Sequence, residues 1–96
     1  MSTIFQKIID REIPATIVYE DDSVLAFEDI APQAPVHLLI IPKKPIASMD
    51  KAQQEDAELL GKVLLVAAQL AREKGIGEQG YRLINNCNEY GGQTVY

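Results

Sequence analysis

Four consecutive residues near the end of the 96-residue chain, Gly91-Gly92-Gln93-Thr94, carry the strongest local chemical signal. Two adjacent glycines let the backbone aim several N–H groups at one point, and a threonine hydroxyl beside them adds a donor, which together suit a phosphate. The same residues also make a plain glycine turn leading into a strand, and the sequence leaves both readings open. His37 is the only imidazole. It lies in an otherwise apolar run, either as a half-buried ring satisfied by a backbone group or as a participant in catalysis whose hydrogen bonds are set by what faces it. Asp29 precedes a proline-rich turn, where a carboxylate either shapes the turn or accepts hydrogen bonds from a ribose diol. Phe5, Ile8, Phe27 and Ile30 supply apolar surface that suits a nucleobase or simply the core.

Other chemistries are excluded. The pattern G-x-x-x-x-G-K-[ST] is absent, so this is no P-loop. Cys87 is the only cysteine and has no cation or imidazole beside it in sequence. No intrachain disulfide or multi-cysteine metal site is available, and the thiol reads as a bystander. Lys43-Lys44 is a small basic pair, and Glu55, Asp56 and Glu58 suit the first turns of a helix. Fourteen acidic against nine basic residues give a net charge of −5, which offers no positive field for duplex nucleic acid. A single nucleotide needs only a few backbone amides and one or two side chains, so it stays possible.

The elements that must position these groups follow from periodicity. Ile4, Phe5, Ile8 and Ile9 recur at helical spacing, with Thr3 and Gln6 in capping-box relation, predicting a short helix over Thr3 to Asp10. Residues 16–20 and 23–29 are β-rich runs joined at Asp21-Asp22, a hairpin. Val36 to Ile41 predicts a strand buried on both faces. Asp50 to Lys74 predicts the one long helix, capped by Asp50 with Gln53 and ended by Gly75, with Leu59, Leu65 and Val66 offering apolar surface on more than one face. Tyr81 to Asn85 reads as a further strand, Asn86 to Thr94 as a loop, and Val95-Tyr96 as the start of another strand. The order of elements predicts one α+β domain over residues 1–96 with a mainly antiparallel sheet. No run of about 18 apolar residues occurs, and the opening MSTIFQKIIDRE mixes in charge too early for a signal peptide. The expectation is a soluble, cytoplasmic protein that does not engage a membrane.

Three segments in order, IFQKIIDREIPA at 4–15, DIAPQAPVHLLIIPKK at 29–44 and NN followed by GGQTVY at the end, resemble the histidine triad (HIT) superfamily, most nearly its Hint-type nucleotide-binding branch. The resemblance spans essentially the whole chain. It implies a homodimeric α+β fold and hydrolysis of a purine nucleoside phosphoramidate or an aminoacyl adenylate through a nucleotidyl-histidine intermediate. By matching position, Asp29 would hold the ribose hydroxyls, and Phe5, Ile8, Phe27 and Ile30 would surround the base. Asn86, Gly92, Gln93 and Thr94 would contact the phosphate or its leaving group, and His37 would orient the catalytic imidazoles without being the nucleophile. The cysteines of zinc-binding members are absent near Ile4-Phe5, so no metal and no cofactor is expected. The family's His-x-His-x-His motif would begin directly after Tyr96; the final strand and the nucleophile are therefore expected beyond the 96 residues. Two alternatives go with this reading: a dinucleoside polyphosphate hydrolase of a sister branch, and a non-catalytic nucleotide-binding or interaction protein.

Overall fold

Thr3 caps the first helix by accepting the Gln6 N–H on its hydroxyl at 3.1 Å, and the chain then runs as α1 over Ile4–Ile9. The computed structural model describes residues 3–95. Only half of the expected capping box forms, because the Gln6 side chain donates forward to Asp10 at 3.2 Å instead of back to Thr3. Arg11, in the left-handed region at φ 63°, ends the helix. Its N–H reaches the Ile8 carbonyl and that of Glu12 reaches Lys7, the paired bonds of a Schellman motif.

Strands β1 (Ile17–Glu20), β2 (Val24–Glu28) and β3 (Leu38–Pro42) form an antiparallel sheet in the order β1-β2-β3. The β1–β2 hairpin turns at Asp21, as expected. Its carboxylate takes the backbone N–H groups of Ser23 and Val24, each at 2.8 Å. β2 is the central strand, and its two faces are covered by different elements. Leu25 and Phe27 pack with Ile8 and Ile41 beneath α1, whereas Val24 and Ala26 pack with Val66 and Leu70 of the long helix. Val24 and Leu25 are fully buried, each contributing roughly 1.5–3 kcal/mol relative to an exposed side chain.

The strand buried on both faces is therefore β2, and not β3 as the apolar run at Val36 to Ile41 predicts. In β3 only Ile41 is buried; Leu38, Leu39 and Ile40 are partly covered. The reason is position: among the described residues β3 pairs only with β2 and stands at the edge of the sheet, so its side chains lack neighbours on one side.

The long helix, α2, spans Ala57–Glu73 and starts seven residues later than the periodicity predicts. Two short 3₁₀ turns, Met49–Lys51 and Gln54–Asp56, precede it, separated by Ala52 in an extended conformation. The cap is Gln53 with Asp56, not Asp50 with Gln53: the Asp56 carboxylate accepts the Gln53 N–H at 2.8 Å. The Asp56 side chain is buried and is also held by Lys44, which anchors this entry to the segment after β3. The far end follows expectation. Gly75 sits at φ 78°, and the Gly75 and Ile76 amides return to Arg72 and Ala71. On α2, Val66 faces the core and Leu59 is partly covered, so of the three residues expected to extend an outer apolar face only Leu65 is exposed.

No strand forms over residues 81–85. Leu83 and Ile84 are 51% and 72% exposed, and this segment has no pairing partner among the described residues. A strand exists through its ladder, so apolar and β-branched composition alone does not make one. Residues 86–94 form a loop, as expected, with a 3₁₀ turn over Glu89–Gly91. Val95 is not in a strand, and Tyr96 lies outside the described residues. Among the described residues, no helix is long and apolar enough to cross a membrane.

Candidate functional site

The register of β2 on β3 decides which candidate residues meet. Glu28 pairs with Leu38, so the next positions outward, Asp29 and His37, stand opposite each other. The Asp29 N–H donates to the His37 carbonyl at 3.1 Å and extends the ladder by that step. Opposed residues in an antiparallel pair place their side chains on the same face. Alternation assigns Asp29 and His37 to the face of Leu25, Phe27, Leu39 and Ile41, which α1 covers. Five candidates from three separate stretches of sequence, Phe5, Ile8, Phe27, Asp29 and His37, thus share one side of the sheet.

Within this group the geometry is specific. Phe5 and Phe27 meet edge to face, with centroids 6.1 Å apart and an interplanar angle of 65°. Ile8 and Phe27 are core residues with little accessible surface, so they support a pocket wall more than they line it. The Asp29 carboxylate is fixed by its Oδ1, which accepts the Ala31 N–H at 2.8 Å. Its Oδ2 lies 3.5 Å from His37 Nε2, and both side chains are partly accessible. On the other side of the imidazole, Nδ1 accepts the Gln33 N–H at 3.0 Å. Ile30 is 92% exposed and with Asp29, Glu28, Pro14, Ala15 and Thr16 bounds an open cleft of about 330 Å³. A somewhat larger cleft, about 460 Å³, lies at the end of α2 beside Arg72, Gly77 and Tyr81 and contains none of the candidates.

The second set, Asn86, Gly92, Gln93 and Thr94, lies in the loop after α2. Gly92 adopts φ 77°, a conformation that favours glycine, and its N–H is taken by the Glu89 carbonyl at 3.1 Å. The Gln93 N–H goes to the Asn88 carbonyl, also at 3.1 Å. The Gln93 side chain accepts the Asn88 N–H at 2.7 Å and donates to the carbonyls of Ala47 at 2.6 Å and Val95 at 2.9 Å. Asn86 and Thr94 are exposed. Among the described residues no hydrogen bond or ion pair joins this loop to Asp29 or His37; its one side-chain tie to the sheet is Gln93 to Ala47, five residues beyond β3.

Two features escaped the sequence reading. The amides of Ala31 and Gln33, which fix the Asp29 and His37 side chains, belong to the Pro-rich turn; the turn-forming role of Asp29 was the signal for the first, and the second has none. The hairpin turn carries a polar cluster as well: Asp21 Oδ2 accepts from Tyr19 at 2.6 Å and from Lys62 of α2 at 2.8 Å. Lys62, the Tyr19 hydroxyl and the Ser23 amide together hold the Asp21 carboxyl far below the usual carboxylate range. Lys62 is correspondingly raised by Asp21, and Tyr19 is raised by the same hydrogen bond. Lys44 and the Gln53 amide lower Asp56, and Lys43 and Arg11 lower Glu20. Sequence alone showed Lys62 only as a polar position on a helix. Among the described residues no three His, Cys, Asp or Glu side chains converge in a way that would hold a metal ion.

Comparison with known proteins identifies the family. The family model for the HIT domain matches residues 10–96. The purine nucleoside phosphoramidase of Escherichia coli K12 is 55% identical over 94 residues, which cover 98% of this chain and 79% of the relative. An uncharacterized HIT-like protein of Synechococcus elongatus is 58% identical, covering 98% and 82%. Among solved structures, a HIT family hydrolase from Legionella pneumophila superimposes with a TM-score of 0.97 at 54% identity, covering 99% of this chain and 85% of the other. A histidine triad protein from Clostridium difficile gives 0.94 at 45% identity, covering 99% and 83%. With the fold and nearly the full length of the chain matched at such identity, the chain belongs to the HIT family of hydrolases.

Proposed function

We propose that this protein hydrolyses purine nucleoside phosphoramidates, releasing a nucleoside monophosphate such as AMP. The observation that carries the reading is the meeting of Asp29 and His37 on the α1 face of the sheet, the face that also carries the Phe5–Phe27 pair; Asp29 in addition borders the cleft at Ile30. A carboxylate with one oxygen fixed and the other accessible suits a ribose diol. In this reading Phe5, Ile8, Phe27 and Ile30 surround the base, the role that the family resemblance gives them.

The phosphate falls to Asn86, Gly92, Gln93 and Thr94. Because the Gly92 and Gln93 amides and the Gln93 side chain are engaged within the loop, binding there requires them to exchange partners; Asn86 and Thr94 offer their groups directly. His37 is the only imidazole in the 96 residues. Attack on phosphorus and protonation of the leaving amine need groups beyond it, and the reading assigns them to the His-x-His-x-His segment expected after Tyr96. No metal or other cofactor enters the reading. A second reading, nucleotide binding without turnover, asks only for the ribose contact at Asp29 and the phosphate contacts of the Gly-Gly-Gln-Thr loop. The exposed Leu64 and Leu65 on α2 support a homodimer through that helix face. The single cysteine fits a reducing compartment such as the cytoplasm.

The test is to supply adenosine phosphoramidate to the protein as produced by its natural gene and follow AMP and ammonia release. Turnover that is lost when Asp29 becomes Ala supports the first reading; AMP binding without any release of ammonia supports the second, and neither binding nor turnover overturns both.

A further inference from the structure

His37 has two ring nitrogens, and its surroundings distinguish them. Nδ1 lies 3.0 Å from the backbone N–H of Gln33, which can only donate, so Nδ1 must present a lone pair. The ring proton of a neutral imidazole is then on Nε2, the nitrogen that faces Asp29 Oδ2 at 3.5 Å. The opposite tautomer would set two donors against each other at Nδ1. The opposite tautomer would also turn a lone pair toward a carboxylate.

We propose that the Gln33 backbone amide is a positioning group for the nucleotide site: it selects the Nε2–H tautomer of His37, which turns that N–H toward the Asp29 carboxylate that meets the ribose hydroxyls. This rests on the nucleotide reading given above. The chain of contacts is short. Ala31 N–H holds Oδ1 of Asp29, and the Nε2–H dipole faces Oδ2 from a distance that leaves that oxygen room for further donors. Both amides belong to the same Pro-rich turn between β2 and β3, with Gln33 also closing on the Ala31 carbonyl through its side chain at 3.2 Å. One turn therefore sets the ring and the carboxylate together. Removing the Gln33 N–H frees the ring to take either tautomer, and the carboxylate loses a fixed neighbour.

Imidazole ¹⁵N spectroscopy of the full protein at pH 8 tests this directly, with the His37 signals identified by their loss in His37→Gln. The expected spectrum shows a protonated Nε2 and a bare, hydrogen-bonded Nδ1. Gln33→Ala, which keeps the amide, retains that tautomer. Gln33→Pro, which removes it, gives mixed tautomers and about tenfold weaker AMP binding by calorimetry, the loss expected when a hydrogen bond to a charged group is no longer well placed. An Nδ1–H ring in the unmodified protein overturns the proposal, as does Gln33→Pro with unchanged tautomer and affinity. If Gln33→Pro does not fold, the spectrum of the unmodified protein decides by itself. An Nε2–H ring in a protein that binds no AMP sinks the nucleotide role while leaving the tautomer assignment standing, so the two failures are distinguishable.

Discussion

The sheet with its two helices and the segment after Gly75 are built from similar residues and behave differently. β2 carries Val-Leu-Ala-Phe, and each of those side chains is buried between α1 on one face and α2 on the other. Residues 81–84 carry Tyr-Arg-Leu-Ile, and Tyr81, Leu83 and Ile84 are all exposed. The difference lies in partners: β2 has a strand on each side, whereas 81–85 has none among the described residues. Apolar composition supplies the driving force for burial, but the backbone must also place its N–H and C=O groups before a strand can form. Stability in this chain is thus concentrated in the sheet and α2, and the candidate phosphate loop belongs to the other region.

The largest effect that sharpens this contrast is in the core. Leu25→Ala, at a fully buried site, is expected to cost about 2–5 kcal/mol in urea unfolding, against less than about 0.5 kcal/mol for Ile84→Ala. Similar losses at the two sites would erase the distinction.

Next in size is the clamp between the hairpin and α2. Asp21, Asp56 and Glu20 all have carboxyl groups lowered in the folded state. Their contribution is therefore fully present above the unfolded carboxylate range, roughly pH 4, and is lost as pH falls through the lower folded values. Lys62 and Lys44 are raised, so their share is present below roughly pH 10 and fades as pH rises beyond it. The melting temperature of the unmodified protein should fall steeply below about pH 4, and Asp21→Asn should lower it at pH 7 while flattening that acid limb. A variant whose acid limb keeps its original slope would show that the clamp does not act.

A smaller effect compares two glycines with nearly the same conformation. Gly75→Ala, at φ 78° in the cap of α2, is expected to cost roughly 1 kcal/mol of global stability. Gly92→Ala, at φ 77°, strains only its loop, so global unfolding should move by less than about 0.5 kcal/mol while AMP binding weakens. Below Gly75→Ala comes Thr3→Ala at the start of α1, expected to cost about 0.5–1 kcal/mol because the Gln6 side chain does not complete the cap.

Much of this fold was legible from local pattern. The cap at Thr3, the turn at Asp21-Asp22 and the Gly75 terminator each depend on residues within a few positions of one another, and each appears where the sequence puts it. The start of α2 differs from the periodicity because helical spacing continues through two 3₁₀ turns; what separates them is the extended Ala52 and the long-range hold of Lys44 on Asp56. Burial of β3 was overestimated because an apolar run does not say which strand lies at the centre of a sheet. At the site, Asp29 and His37 were individually readable, but their meeting depends on the β2–β3 register, which comes from pairing across a nine-residue connection.

The most direct test of the account is calorimetric titration of AMP into the unmodified protein and into Asp29→Ala. The account predicts saturable binding by the first and at least about tenfold weaker binding by the second, since a charged hydrogen-bond acceptor for the ribose is removed. Equal affinity in both proteins would contradict it, because the nucleotide would then be held somewhere other than beside Asp29 and His37.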